Sequence, residues 1–189
     1  MKPHYANEIF VQNGLLSVAR QCHSPNFDAR PPNSIIDLLV IHCIALPPEE
    51  YGGSAIEEFF CNRLDVDSHP FYKEIASVQV SAHLLIRRDG EVLQFVNFSD
   101  RAWHAGESCF KNRERCNDFS IGIELEGSDT DLFTSAQYEV LANVTRALQA
   151  AYPDIGTANI VGHQHIAPQR KTDPGEGFDW RRYRAMLCD

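Results

Sequence analysis

The chain has 189 residues, of which 43% are hydrophobic and 23% are charged, and its formal net charge at pH 7 is -9. The length and composition predict one globular domain over residues 1–189 with a hydrophobic core. The acidic balance argues against nucleic acid as a partner, because phosphate binding needs a basic surface.

Targeting signals and cysteine usage favour a cytoplasmic protein. The segment 1–10 has no apolar run typical of an export signal, and no window approaches the roughly 18 to 20 apolar residues of a membrane span. The six cysteines form no CxxC pair and no tight framework. We therefore expect reduced thiols and no association with a membrane.

The first predicted elements are an arm, a buried strand and a short helix. Residues 1–34 contain two Pro/Asn clusters and predict an irregular arm laid over the domain. The apolar run Ile36–Ile44 predicts a buried central strand, interrupted only by His42 near its end. After a Pro/Gly loop, Ser54–Phe60 predicts a helix with Ser54 as the N-cap and Glu57 completing a capping box.

The middle of the chain predicts a hairpin followed by another strand. Val80–Ile86 and Glu91–Asn97 are rich in β-forming residues and flank Arg88-Asp89-Gly90. An Asp-Gly pair between two such runs is a strong hairpin signal. Ser120–Glu126 predicts a strand with acidic side chains at its end.

The last third of the chain alternates helix, strand and helix. Thr134–Ala151 predicts a long helix, because Thr134 and Gln137 form a capping box before an apolar stripe. Ile160–Val161 predicts a short strand, and Trp180–Leu187 a terminal helix. This alternation indicates the α/β class.

The segment Gly162–Gly175 concentrates chemically active side chains. It contains two imidazoles, an ammonium group and a carboxylate, and Pro and Gly bound it. Those boundary residues predict a loop and not a helix. Imidazole with carboxylate is typical of a zinc site, and a nearby lysine can stabilise a developing oxyanion.

Three residues are candidate ligands of a catalytic zinc: His42, His163 and Asp173. His42 ends one predicted strand and His163 follows another, and ligand sites of α/β sheets gather beyond strand ends. Three protein ligands leave a fourth position open for water. Alternative readings remain at this level: His42 as a core histidine, Asp173 as a turn residue, and His165 as a rival ligand to His163.

Other polar groups sit near the same strand ends. Glu124 could act in catalysis or pair with an arginine, and Lys171 could serve the reaction or be a solvated charge. His104 could line a cleft, while the neighbouring Trp103 could line it or cap the core. No single one of these residues carries the assignment; their convergence does.

Several motifs together resemble one family, the zinc-dependent N-acetylmuramoyl-L-alanine amidases with the phage-lysozyme and peptidoglycan-recognition fold. They are Leu39–His42, Val80–His83, Arg101–Gly106, Asn117–Gly127 and Gly162–Gly175. The resemblance runs in order from about Val18 to the terminal helix. Within the family it is greatest to the cytosolic amidases that act on 1,6-anhydro-muropeptides. It implies a central mixed β-sheet flanked by α-helices, with zinc at the floor of an open groove.

The resemblance also implies roles for individual residues. His42, His163 and Asp173 fall on the positions that hold one zinc ion per chain, and His165 does not fall on a ligand position. Glu124 falls on the residue that activates water, and Lys171 on the one that stabilises the transition state. Four residues fall near substrate contacts: Arg115, Trp103, His104 and Ala105.

The chain departs from the family pattern at two positions near the substrate. Cys43 stands beside the first ligand where relatives have Asn, and Gln79 stands where a relative has Arg. Neither falls on a zinc ligand or on the water activator. The departures put the strength of substrate binding in question and leave the reaction unaffected.

The resemblance implies hydrolysis of the amide bond between the lactyl group of N-acetylmuramic acid and L-Ala of the stem peptide, in peptidoglycan recycling. The expected partner is a small anhydro-muropeptide, and the expected state is a monomer. Two alternatives remain: a family amidase acting on polymeric cell wall, and a catalytically inactive peptidoglycan-binding protein. Binding-only members typically lack a zinc ligand, whereas this chain has all three.

Overall fold

The computed structural model describes residues 8–188, so the start of the predicted arm lies outside the described residues. The strands in this range are β1 (Val11–Gln12), β2 (Leu15–Leu16), β3 (Arg20–Gln21), β4 (Phe27–Ala29), β5 (Leu38–Ile44), β6 (Leu84–Ile86), β7 (Val92–Gln94), β8 (Asp100–Ala102), β9 (Cys109–Phe110), β10 (Arg113–Glu114), β11 (Ser120–Glu126) and β12 (Ile160–Gly162). The α-helices are α1 (Ala55–Phe60), α2 (Pro70–Ile75), α3 (Ser135–Ala151), α4 (His163–Ile166) and α5 (Trp180–Leu187).

A six-stranded mixed sheet forms the centre of the fold, in the order β12-β5-β11-β6-β7-β3. Strand β5 lies between β12 and β11 and is parallel to both, while β6 and β7 form an antiparallel hairpin. Helices cover the sheet, so the predicted α/β class with a central mixed sheet is confirmed. Crossover connections place helices on the sheet faces, and β5 is accordingly apolar over most of its length.

The two faces of β5 serve different purposes because successive side chains alternate between them. Leu39 and Ile41 belong to the main core, which packs around α3. Leu38 and Val40 point to the opposite face, where a smaller apolar cluster lies. His42 shares this second face by the same alternation, so its imidazole is directed away from the main core.

Helix α3 begins at the predicted capping box. The Thr134 hydroxyl accepts from the Gln137 backbone N–H at 3.1 Å, and the Gln137 side chain accepts from the Thr134 N–H at 3.0 Å. The buried amide of Gln137 also donates to the carbonyl of Glu126 at 2.9 Å, which joins α3 to the end of β11.

Within residues 8–188 no helix has the length and apolar character needed to cross a bilayer.

The predicted hairpin is confirmed, but its strands are shorter than the sequence indicates. Gly90 takes φ 93° in the turn, a conformation that glycine adopts without strain. The residues before β6 pair elsewhere: Ser81 N–H donates to the Trp103 carbonyl at 3.2 Å, and His83 N–H to the Gly122 carbonyl at 3.1 Å. These contacts tie the segment to neighbouring loops and strands, while the His83 carbonyl still accepts from the Phe95 N–H at 2.9 Å just beyond β7.

The capping box predicted for α1 is wrong, although the helix itself forms. The Ser54 hydroxyl donates to the Glu58 carboxylate at 2.6 Å and makes no capping bond. The Glu57 carboxylate instead accepts from Arg20 and Arg87, each at 2.8 Å. A salt bridge across elements therefore outweighs the local capping arrangement.

The arm is more ordered than predicted, since residues 8–34 contain four short strands. β3 extends the central sheet as a parallel neighbour of β7. Farther along, the Arg30 guanidinium donates to the carbonyls of Ser120 at 2.8 Å and Asn117 at 3.0 Å. Burial lowers the pKa of Arg30 to about 10. The arm is thus hydrogen-bonded to the segment that carries β11.

All six cysteines lie within the described residues and are free, as expected for reduced thiols. Cys22 and Cys61 come nearest to each other, with their Sγ atoms 3.5 Å apart.

Glu126, one of the acidic residues at the end of β11, is part of the framework. Its side chain is buried, and it accepts from Arg87 at 3.0 Å. The same carboxylate accepts from the backbone N–H groups of Gly52 at 2.7 Å and Arg88 at 3.1 Å. One residue thus joins β11 to the hairpin and to the loop before α1.

We expect Glu126→Ala to lower the free energy of unfolding by about 3 kcal/mol or more, since it leaves buried donors without their acceptor. Urea denaturation followed by circular dichroism measures the change. Glu139→Ala, on the exposed side of α3, is the matched control and should stay within about 0.5 kcal/mol of the parent. Equal stability of the two variants would contradict this role of Glu126.

Candidate metal centre and active site

The register of the parallel strands brings the polar strand ends together. Glu124 of β11 lies directly opposite His42 of β5, and Gly162 of β12 lies opposite Ile41. His163, the residue after β12, therefore reaches the same level as His42 on the other side of β5. The three strand ends form one edge of the sheet, the usual place for a ligand site in α/β folds.

The side chains of His42, His163 and Asp173 converge at this edge. The Nδ1 atoms of the two histidines are 3.0 Å apart. The Asp173 Oδ2 atom lies 3.1 Å from Nδ1 of His42 and 3.2 Å from Nδ1 of His163. Within residues 8–188, these three residues form the group of ligand-type side chains whose donor atoms could hold a metal ion.

His163 belongs to a single helical turn and not to the predicted loop. Helix α4 spans His163–Ile166, so the alternation expected of an extended segment does not apply. His165 turns away from the other histidines: its Nδ1 accepts from the Gly162 N–H at 2.9 Å, and its ring contacts Trp180. The helical turn thus separates the two imidazoles, and His165 stays outside the converging group.

The hydrogen-bond contact of His163 Nε2 determines which tautomer the imidazole adopts. Its Nε2 lies 3.1 Å from the carbonyl oxygen of Ala105, which only accepts hydrogen bonds. In the neutral imidazole the proton therefore sits on Nε2, and Nδ1 directs its lone pair at Asp173 and His42. Arg170 also donates to the Ala105 carbonyl, at 2.8 Å, and helps to hold that oxygen in place.

The protonation states of the His42, His163 and Asp173 group favour binding of a cation. Burial lowers the pKa of His42, which keeps its imidazole neutral. Burial works in the opposite direction on Asp173, but the close ring nitrogens of His163 and His42 outweigh it and hold the pKa of that carboxyl below its usual range. The three facing atoms can share a proton or bind a metal ion, so metal binding would compete with protons.

The geometry passes a simple test for zinc. Zinc bonds to nitrogen and oxygen are about 2.0–2.2 Å long, which places tetrahedral ligand atoms about 3.3 Å apart. The observed separations of 3.0, 3.1 and 3.2 Å are close to that value. Two imidazoles and one carboxylate are a zinc donor set with an open fourth position, and other divalent ions accept the same set.

Glu124 lines the site, and one of its carboxylate oxygens is unpaired. Its Oε2 atom is buried and has no hydrogen-bond partner within residues 8–188. Burial, together with the charge of Asp173, raises the pKa of Glu124 well above its usual value, and the charge of Lys171 opposes this rise. A buried polar atom without a partner costs free energy, so its retention here indicates a functional group.

The loop after α4 positions Lys171 and Asp173. The Lys171 N–H donates to the Ala167 carbonyl at 3.0 Å, and the Gln164 N–H donates to the Asp173 carbonyl at 2.9 Å. The hydroxyl of Thr172, between them, donates to Asp129 at 2.8 Å. Asp173 lies in a turn and not in an extended segment, and Lys171, Thr172 and Asp173 all line one cavity, so alternation does not explain their placement.

A cleft of about 580 Å³ surrounds these groups. His42, His163, Asp173, Glu124 and Lys171 line it together with Cys43 and His104. Its apolar wall comes from Phe59, Phe60, Val78 and Val80. The size is that of a small-molecule site, with a few polar groups converging on one point.

The remaining predicted substrate contacts lie outside the lining of this cleft. Gln79 is exposed and lines an adjoining cavity of about 260 Å³ near α2, which shares Phe59 and Val78 with the cleft. Arg115 lines another, of about 460 Å³, and forms an ion pair with Asp118 at 3.3 Å. Trp103 is half-buried and bonds to Ser81 through its backbone, and Ala105 contributes its carbonyl to His163.

His104 has a contact that sequence reasoning missed. Its side chain lies behind His42, and its Nδ1 is 3.0 Å from Nε2 of that residue. The spacing between residues 42 and 104 carries no signal of this contact, because it depends on how the loop after β8 folds over the sheet.

Comparisons with known proteins agree with this geometry. A family model described as N-acetylmuramoyl-L-alanine amidase matches residues 31–176. The chain is 58% identical over 175 residues to the 1,6-anhydro-N-acetylmuramyl-L-alanine amidase AmpD of Salmonella typhimurium strain SL1344, covering 93% of each protein.

Two solved structures are also similar. A crystal structure of a selenomethionine AmpD derivative has a TM-score of 0.92 and 54% identity, with 94% of this chain and 99% of that chain covered. The amidase AmiD from Escherichia coli, in complex with the substrate anhydro-N-acetylmuramic acid-L-Ala-D-γ-Glu-L-Lys, has a TM-score of 0.58 and 28% identity, covering 95% of this chain and 65% of that chain.

Proposed function

Since this chain belongs to the N-acetylmuramoyl-L-alanine amidase family, we propose that it is a recycling amidase of the cytoplasm. It hydrolyses the amide bond between the lactyl group of 1,6-anhydro-N-acetylmuramic acid and L-Ala of the stem peptide. The observation that carries the proposal is the His42, His163 and Asp173 group beside the unpaired carboxylate of Glu124. The high identity to an amidase of that name, over nearly the full length of both chains, supports the substrate class.

His42, His163 and Asp173 would hold one zinc ion per chain, and the described donor atoms favour that assignment. When bound, zinc supplies a Lewis acid that polarises the scissile carbonyl and makes water a better nucleophile at neutral pH. The chain's own residues then bind, orient and transfer protons around this point.

Glu124 is the general base and then the general acid. Its carboxylate takes a proton from the attacking water as the water oxygen bonds to the lactyl carbonyl carbon. The raised pKa of Glu124 suits both roles, because a carboxyl group with a pKa nearer the working pH can accept and return a proton. The carboxyl group then donates the proton to the nitrogen of L-Ala as the carbon–nitrogen bond breaks.

Lys171 stabilises the negative charge that develops on the carbonyl oxygen. Its backbone N–H donates to the Ala167 carbonyl, and the residue lines the cleft together with Asp173. An ammonium group placed where charge appears in the transition state lowers the barrier more than the same group would in water.

The cleft suits a small muropeptide as the partner. Its volume of about 580 Å³ lies within the range of small-ligand sites, and its wall of Phe59, Phe60 and two valines offers apolar contact to a peptide stem. Polymeric wall substrate and binding without catalysis are the competing functions. We expect the chain to act as a monomeric single domain.

The test is release of tripeptide from purified 1,6-anhydro-N-acetylmuramoyl-tripeptide, followed by chromatography, with metal counted in the same sample. Intact cell-wall sacculus runs in parallel. We expect one zinc per chain, cleavage at the lactyl–L-Ala bond and little release from sacculus. Efficient release from sacculus would favour the wall-degrading function, and zinc without cleavage of either substrate would favour a binding protein.

A further inference from the structure

We propose that His104 and Ser120 are positioning residues that hold His42 in the tautomer required for metal binding. This inference rests on the metal site of the proposed function, but it concerns two residues outside the ligand group. Its test measures zinc binding, so it can fail while the amidase activity stands.

The three side chains form a continuous hydrogen-bonded chain behind the ligand atoms. Nε2 of His42 is 3.0 Å from Nδ1 of His104. Nε2 of His104 is 3.2 Å from the hydroxyl of Ser120. All three residues are buried, with 1%, 9% and 0% of their surfaces exposed, so water does not compete for these contacts.

The direction of the hydrogen bonds follows from what a metal ion needs. A cation at Nδ1 of His42 requires a lone pair there, so the imidazole proton must lie on Nε2 and be donated to His104. His104 then accepts at Nδ1 and donates from Nε2 to the Ser120 hydroxyl. Ligating histidines generally donate their second ring N–H to such an acceptor, which fixes both the tautomer and the ring orientation.

The other candidate ligand, His163, is held in its tautomer by a backbone carbonyl and not by a side chain. Nε2 of His163 faces the Ala105 carbonyl at 3.1 Å, and this oxygen holds the same tautomer without a side chain. Residues 104 and 105 are adjacent, so one short segment after β8 supports both imidazoles. His42 differs because its support is a side chain, which a point substitution can remove.

The His104 ring occupies space that a side chain at Gly122 would fill. A Cβ atom on Gly122 would lie 2.5 Å from Cγ of His104, closer than real Cβ contacts occur. The absence of a side chain at Gly122 in β11 therefore lets the imidazole pack directly against the strand. The ring also packs edge-on against His42, with centroids 5.0 Å apart.

The decisive measurement is the zinc dissociation constant, obtained by competition with a colorimetric chelator. We expect His104→Phe, which keeps a ring but has no acceptor, to weaken zinc binding about 10- to 100-fold. His104→Asn places a carboxamide oxygen near the position of Nδ1 and should restore most of the affinity. Ser120→Ala should weaken binding less than His104→Phe does.

Thr145→Val is the matched control for Ser120→Ala. It removes another buried hydroxyl, which bonds to Tyr183 at 2.7 Å on the far side of the sheet, and it should leave zinc affinity unchanged. A second readout is the ring N–H signal of His42 in nitrogen-15 NMR of the zinc-loaded protein. It should mark Nε2 as protonated in the parent and shift in His104→Phe.

Two results would overturn the proposal. One is an unchanged zinc dissociation constant in folded His104→Phe, or in Ser120→Ala if the former does not fold. The other is an equal loss of affinity in Thr145→Val, which would indicate general destabilisation. A parent protein that binds no zinc would instead contradict the proposed function itself.

Discussion

Glu124→Gln lowers the turnover number about 10²- to 10⁴-fold, the usual contribution of general acid–base catalysis, while zinc stays bound. The amide of glutamine has nearly the shape of the carboxylate but can neither take the proton of the attacking water nor return one to the leaving amine. Steady-state hydrolysis of anhydro-muropeptide, with metal counted in the same sample, measures both quantities. Glu139→Gln, on the exposed side of α3 and outside the cleft, is the control and should turn over at the parent rate.

The same variant should fold at least as stably as the parent without metal. The pKa of Glu124 is raised in the folded state, so ionisation favours the unfolded chain. This contribution of Glu124 to stability is therefore lost as pH rises from the unfolded value through the higher folded value. Glutamine does not ionise, so the stability of the variant should lack this pH dependence.

A turnover number of Glu124→Gln within tenfold of the parent would contradict the role of Glu124 in the mechanism.

The second large effect is expected at the metal ligands. Asp173→Ala removes one of three donor atoms and the only carboxylate of the described ligand group. We expect zinc affinity to fall more than about 100-fold, since even outer contacts to ligands are worth 10- to 100-fold. Hydrolysis should fall with it, because the carbonyl is no longer polarised.

His165→Ala is the matched control for this experiment. It removes an imidazole from the same helical turn as His163, but one that faces Trp180 and not the ligand group. It should keep one zinc per chain and full activity. Treatment of the parent with a chelator should abolish hydrolysis, and added zinc should restore it. Equal zinc loss in both variants would mean that the ligand assignment between His163 and His165 is wrong.

Sequence reasoning located most of the framework. The strand Ser120–Glu126 and the helix beginning after Thr134 have the predicted bounds, because buried strands and capping boxes leave local signals. Strand ends that meet at one edge made His42, His163 and Asp173 candidate ligands, but the pattern left His165 as a rival of His163, and the family resemblance decided between them.

Other features depended on contacts across the fold. The salt bridges of Glu57 replace the capping role that its spacing indicates, and the single turn of α4 replaces a loop. Gln79 lines a cavity that adjoins the central cleft, and Arg115 lines another, and no local sequence pattern reports where cavities begin and end. The bond between His42 and His104 likewise arises only once β5 and the loop after β8 meet.

The position of β5 between β11 and β12 has a consequence for biosynthesis. His42 and His163 are 121 residues apart, and both sheet neighbours of β5 are made long after it. During translation β5 must wait for partners encoded downstream, and such non-local parallel pairing is slow to form. A zinc ion held by both histidines can bind well only after nearly the whole sheet has assembled. Zinc would therefore bind late in folding and stabilise the folded state by mass action.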